Sequence, residues 1–221
     1  MVPPIDVLLF DPESFFDREG WGGWASPAAV VGVLLAVQLL SLYPTYQMTQ
    51  QLFSEVSGGS GFALVSVAFS AGWFLVTTPL YWLGVAGTAY GVGAWFDGDA
   101  DFSTTTQAVA WGFVPHIVGT AVAVAGSYLR YVQTELPAVT EDMTQQEIQA
   151  LSGQITGAPT DPVNLVITVV GLVTLLWGAY LWTVGVENVH GIERRQAVIV
   201  AVPWILLSLI ALVSRFVGPM A

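Results

Sequence analysis

From Phe62 to Phe96 the chain runs for 35 residues without one charged side chain. Few environments accept such a run. As a single helix it would reach ~52 Å at 1.5 Å per residue, against a bilayer hydrocarbon core of about 30 Å. The rest of the chain shares the bias, with 54% hydrophobic and only 10% charged residues, far from the balance of a soluble domain. Lipid offers no hydrogen bonds to an open backbone, so apolar runs of this length read as membrane helices. The expected fold is all-α: a polytopic integral membrane protein, a five-helix transmembrane bundle spanning 26–221, with an N-terminal interfacial amphipathic segment over 1–25. The spans fall at about 27–43, 62–96, 108–128, 163–186 and 197–217.

The long run admits two arrangements, one helix kinked at Pro79 or two short helices meeting near Thr77-Thr78-Pro79. A turn there would lie at lipid depth with no Gly, Asn or Asp to shape it, so the single helix is expected. In the N-terminal segment, Asp11 suits a helix cap and Pro12 the first helical position. Phe15, Phe16 and Trp21 are expected to enter the headgroup region while Glu13, Asp17 and Arg18 stay wet. Residues 1–6 lack the basic stretch that precedes the apolar run of a cleaved signal peptide, so the segment reads as retained. Between the third and fourth spans, Met143, Ile148, Leu151 and Ile155 fall near helical spacing, predicting a short amphipathic helix over 141–155.

Sixteen acidic residues stand against five basic ones, all arginine. That balance excludes a polybasic nucleic-acid or anionic-lipid binder. It fits wetted surfaces facing concentrated salt, where screening shortens carboxylate repulsion, and predicts a salt-loving archaeal source. Arginine placement sets the orientation: Arg18, Arg194 and Arg195 on one side, Arg130 and Arg215 on the other. This places the N-terminus in the cytoplasm and the C-terminus outside a multi-pass cell-membrane protein.

Small residues recur on single helix faces. Gly112, His116, Gly119, Ala123 and Gly126 follow at four, three, four and three residues; Asn164, Gly171, Gly178 and Gly185 follow at sevens. Gly84, Gly87, Gly91 and Ala94 form another such face, and Ala197, Ala201, Ser208 and Ala211 a looser one. Such faces let helix backbones approach closely in lipid, so these glycines are expected at helix contacts. His116 then points at a neighbouring helix, with Gln38, Thr77, Thr78, Asn164 and Thr168 as its candidate partners. The plainer expectation for it is a structural hydrogen bond between helices; the sharper one is a functional polar site.

No catalytic constellation emerges. Zero cysteine removes thiolate metal sites, disulfides and cysteine nucleophiles. Asp97, Asp99 and Asp101 alternate like a calcium loop, but the sixth and twelfth positions hold Phe102 and Ala108 where that loop needs Gly and Glu. His190-Gly191-Ile192-Glu193 is not the zinc-protease helix motif, and residues 57–61 lack the Lys of a phosphate loop. Neither enzyme activity nor a cofactor nor a metal is expected.

Three segments in order resemble one family. The first is Leu8-Leu9-Phe10-Asp11-Pro12-Glu13-Ser14-Phe15-Phe16. The second is Gly98, Phe102 and Gln107 followed by Trp111-Gly112-Phe113-Val114-Pro115, and the third is Ile192-Glu193-Arg194-Arg195-Gln196-Ala197 with Pro203. Together they are similar to the Yip family, the Ypt/Rab GTPase-interacting membrane proteins and their prokaryotic relatives. The resemblance marks Asp11, Pro12, Phe15, Pro115, Arg195 and Pro203 as family positions. It implies five membrane helices and a cytosolic N-terminal part. It also implies a role in binding other proteins, which in eukaryotic members means small GTPases in vesicle transport. A non-enzymatic membrane-organising or interaction scaffold is therefore the expected function, with the bilayer, further copies of the chain or other membrane proteins as partners. The alternative is a small-solute or ion permease with a polar site around His116, Gln38, Asn164 and Thr168.

Overall fold

The structure is a computed structural model describing residues 5–17, 21, 23–56, 58–133, 137–140, 143–144, 146–147, 151 and 161–217. Two short helices open it, α1 (Ile5–Phe10) and α2 (Pro12–Phe16), followed by α3 (Ala25–Leu40) and α4 (Leu42–Leu52), α5 (Gly59–Trp95), α6 (Phe102–Trp111) and α7 (Val114–Gln133). The chain ends in α8 (Pro162–His190), α9 (Arg194–Ala197), a 3₁₀ turn (Val198–Val200) and α10 (Ala201–Val217). The described residues contain no strand. The protein is an all-helical, multi-pass membrane protein: four helices are long and apolar enough to cross a bilayer, and α6 and α7, bent by 43° at the break between them, pass the same test only when taken together as one span.

All of the 35-residue uncharged run but its last residue, the C-cap Phe96, lies in the single 37-residue helix α5, with Pro79 inside it. Its ~55 Å length exceeds any hydrocarbon core, so its ends project into the interfaces. Thr77 steadies the turn before Pro79 by donating its hydroxyl to the Trp73 carbonyl (2.8 Å). The first span is longer than 27–43, because α3 and α4 together form one 28-residue apolar stretch interrupted at Ser41. Ser41 donates both its amide and its hydroxyl to the Gln38 carbonyl, which tightens that junction.

The bend in the third span has a local cause. Pro115 has no N–H and restricts Val114 before it. The chain answers with two short bonds, Gly112 N–H to the Val109 carbonyl (3.1 Å) and Phe113 N–H to the Ala110 carbonyl (3.1 Å), which end α6 before α7 restarts. At its other end α6 is capped by Asp101, whose carboxylate accepts the Thr104 amide at 2.7 Å. That bond holds the Asp101 carboxyl below its ordinary value. A depressed folded-state pKa gives stability that is present above the unfolded value and lost as pH falls through the folded one. Acid titration of thermal stability should therefore lose its Asp101 component only below the ordinary carboxylate range. Asp101→Asn, which can still cap, should remove that component while leaving the neutral-pH midpoint within about 1 °C.

Apolar exposure runs opposite to that of a soluble fold. Phe69, Trp73, Leu80 and Trp95 on α5 are exposed at 75%, 60%, 60% and 83%, as lipid-facing side chains must be. The packed core lies toward one end of the bundle and joins Leu8, Phe15, Phe16, Trp111, Phe113 and Trp182. A smaller cluster at the other end joins Leu52, Val139 and Leu151, and the Val139 N–H donates to the Leu52 carbonyl. Of the amphipathic helix expected over 141–155, Ile148 and Ile155 lie outside the described residues, while Leu151 and Met143 pack in that cluster.

One expectation fails clearly. Phe15 and Phe16 do not enter the headgroup region: they are 1% and 2% exposed and sit in the bundle core. Trp21 is half-buried and donates its indole N–H to the Phe16 carbonyl at 2.8 Å. The aromatic pair finds a protein groove formed where α6 and α8 meet, and burial against aromatic rings competes favourably with a headgroup region that leaves half of each ring wet. Phe10, 83% exposed, is left on the outer side.

Candidate functional site

Two places concentrate unusual side chains: a cap at one end of the bundle and a polar cavity within it.

The cap assembles the three sequence segments singled out above. Asp11 caps α2 by accepting the Ser14 amide (3.3 Å), and Pro12 occupies the first turn, buried. This turns Phe15 inward, edge-on to Trp111 at 5.1 Å between centroids, while Phe16 meets Phe15 at 5.2 Å. The Trp111 indole N–H reaches the Trp21 carbonyl (3.3 Å), and Gln107 accepts the Gly23 amide (2.6 Å). The third segment closes from the other side. Arg194 donates to Glu13 of α2 and to Glu187 of α8, both at 2.7 Å, and Asn188 donates to Asp17 at 2.7 Å. Arg194 is thus the residue that ties the N-terminal segment to the last turn. Arg195, which the resemblance marks, is 81% exposed and pairs only with Glu193 among the described residues. Pro115 is buried at the start of α7, and Pro203 lies exposed near the start of α10.

His190, discounted in the sequence, is the buried polar centre of this end. Its ring fills space that Gly93 and Gly98 leave open, since a Cβ on either would collide with it. Thr105 commits its hydroxyl hydrogen to the Asp101 carbonyl (2.8 Å), so at 2.9 Å from His190 it accepts from Nε2–H. The proton is thereby assigned to Nε2, and the buried Nδ1, which has no partner among the described residues, carries the lone pair. The readable signal was Gly191 directly after it, a left-handed residue at φ 65° that stops α8 with His190 in its last turn.

The cavity has a volume of about 270 Å³ and is lined by Leu34, Gln38, Thr77, Thr78, Tyr81, Phe113, His116 and Thr120. It brings together four of the expected polar residues, His116, Gln38, Thr77 and Thr78. The interhelical hydrogen bond is made by Thr78, which donates to Gln38 Oε1 at 2.6 Å. His116 contributes by stacking: its ring lies 5.7 Å from Trp182 at 23°, and its Nε2 is buried with no partner among the described residues. Asn164 and Thr168 do not join. Helices α7 and α8 run antiparallel, with Gly119 facing Thr174 and Gly126 facing Val163 and Ile167. His116 therefore meets α8 at Gly178, ~21 Å along the helix from Asn164 and ~15 Å from Thr168.

The glycine faces divide in the same way. Gly112, Gly119, Gly126, Gly178 and Gly185 sit at close contacts, with Trp182, Thr174, Ile167, the Gly112 carbonyl and Phe16 respectively, and Gly84 sits against Trp204. Trp182, fully buried, lies over Gly112 and donates its indole N–H to the Val109 carbonyl (3.0 Å) at the bend. Gly87, Gly91 and Gly171 were expected at contacts and are not, because a Cβ on any of them would meet open space. Gly171 falls along α8 between the Thr174 and Ile167 contacts, and nothing lies within 4 Å of a Cβ built on it. Gly87 and Gly91 follow Gly84 up α5, away from Trp204.

No curated protein and no solved structure matches the chain. Among known protein families, the Yip1 domain matches residues 5–215, which takes in the cap, the cavity and every candidate span. The chain therefore belongs to the Yip1 domain family.

Proposed function

We propose that this protein is a non-enzymatic membrane organiser. It would sit in the cell membrane of a salt-adapted archaeon with its cap end in the cytoplasm, and associate with other membrane proteins or with further copies of itself. The observation that carries this reading is the convergence of the three motif segments into one folded cap, through the 5.1 Å contact of Phe15 with Trp111 and the 2.7 Å pair of Glu13 with Arg194. The buried Phe15–Trp111 contact holds the cap in shape, and the Glu13–Arg194 pair on its outer side offers polar groups for a partner to recognise. Gly87 and Gly91, left unfilled within the chain, would allow close approach of a second helix. Cross-linking in native membranes at high salt, read by mass spectrometry, should return adducts on the cap or on α5. A purified protein that is a stable monomer and returns no adduct would overturn the reading.

A second reading, a small-solute permease, draws on the cavity beside the Gln38–Thr78 pair at membrane depth. Flux into proteoliposomes that is abolished by Gln38→Leu would favour it. Flux that survives both Gln38→Leu and His116→Ala would move any pathway elsewhere.

A further inference from the structure

The cavity between α3, α5 and α7 contains hydrogen-bonding groups but no carboxylate, lysine or arginine in its lining. Its depth follows from three helices counted from the cap end. Gln38 lies ~20 Å from Ala25, Thr78 ~26 Å from Trp95, and Gly178, beside His116, ~18 Å from His190. The site lies near the middle of each of these three apolar stretches.

Two donors are aimed by their surroundings. Gln38 has its carbonyl oxygen engaged by Thr78, which leaves the carboxamide N–H groups as its open end. For His116, a Cβ built on Gly178 would lie 2.8 Å from Nε2 and 3.1 Å from Cδ2, so that edge of the ring abuts α8. Nδ1 lies on the opposite side of the ring from that edge, and the ring lines the cavity. A buried N–H without an acceptor costs more than an unpaired lone pair, which assigns the proton to Nδ1 and leaves Nε2 bare. Tyr81 and Phe113, edge to face at 5.4 Å, supply an aromatic wall. The cavity is partly open at its mouth, and its volume of about 270 Å³ exceeds the ~150 Å³ that accepts benzene, so a substituted ring fits.

We propose that this cavity binds a small uncharged molecule bearing a carbonyl oxygen and an apolar or aromatic body. The carbonyl accepts from the Gln38 carboxamide and from His116 Nδ1–H, and the body rests against Tyr81 and Phe113. A charged ligand would find no counter-charge at this depth. A purely apolar one would leave both donors unpaired. The site goes beyond the scaffold reading and requires no transport.

Fluorine NMR of 4-fluoroacetophenone titrated into the purified full chain in lipid nanodiscs tests it, with 4-fluoroethylbenzene as the apolar analogue and 4-fluorobenzoate as the charged one. Saturable binding of the ketone is expected, with the ethyl analogue weaker by about tenfold and the benzoate showing no saturation. His116→Phe and Gln38→Leu should each weaken the ketone by about tenfold without changing the ethyl analogue. Linear, unsaturable partitioning of the ketone, or equal affinity for ketone and ethyl analogue on the unmodified protein, overturns the proposal, and that comparison decides even where a variant fails to fold. So does ketone affinity unchanged by both substitutions.

Discussion

Phe15→Ala and Phe16→Ala are each expected to cost about 3–5 kcal/mol, the usual penalty for emptying a fully buried phenylalanine site. Both rings are essentially inaccessible, at 1% and 2%, and each has aromatic neighbours on more than one side. Phe16 also closes over Gly185, whose added Cβ would stand 3.1 Å from Phe16 Cζ. A chain of this size shifts its midpoint by about 2–4 °C per kcal/mol, so thermal unfolding followed by tryptophan fluorescence should move down by about 10 °C for each variant. Phe10→Ala is the internal control. It lies one helix earlier, is 83% exposed, and should stay within about 0.5 kcal/mol of the parent. Were the segment simply lying among lipid headgroups, all three substitutions would behave alike. Equal midpoints for Phe10→Ala and Phe15→Ala would therefore remove the folded cap and, with it, the proposed recognition surface.

The sequence disclosed most of the architecture because its physics is coarse. An uncharged stretch the length of 62–96 can hardly be other than a membrane helix, and Asp11-Pro12 can hardly avoid starting one; both appear as expected. What stayed hidden depends on rotation and depth. Phe15 and Phe16 read as interfacial because nothing in their own segment reveals that α6 and α8 form a groove beneath them. Asn164 shares heptad spacing with Gly178, yet spacing along one helix cannot tell that α7 runs antiparallel to it and meets His116 two heptads away. The polar cavity was half legible. Gln38, Thr77, Thr78 and His116 were identifiable as polar groups at membrane depth, while Tyr81 and Thr120 looked like ordinary helix residues. His190 was overlooked because it failed a metal motif. Its actual role, a buried ring sealed by two glycines and a threonine, has no motif to fail.

The same gap between spacing and contact yields the second large effect. Gly171 and Gly178 lie two turns apart on α8 and are indistinguishable in sequence, but they should respond with opposite signs. At Gly178 an added Cβ would stand 2.7 Å from the Gly112 carbonyl oxygen and 2.8 Å from His116 Nε2. The first of these is backbone, held by the bend between α6 and α7, and the second belongs to a ring stacked on Trp182. Neither can swing aside, so α7 and α8 must separate. Gly178→Ala should then cost about 1–3 kcal/mol as an overpacking defect, and Gly178→Leu should leave no folded protein. At Gly171 the Cβ enters open space. Gly171→Ala should stabilise by about 0.5–1 kcal/mol, because alanine loses less backbone entropy on entering a helix. Midpoints measured side by side in one detergent should separate by about 5–10 °C, with the parent between them. A Gly178→Ala midpoint at or above the parent would mean that α7 and α8 do not touch at this level. The stacking of His116 on Trp182 and the placement of its Nδ1 on the side of the ring away from α8 would then both lose their basis.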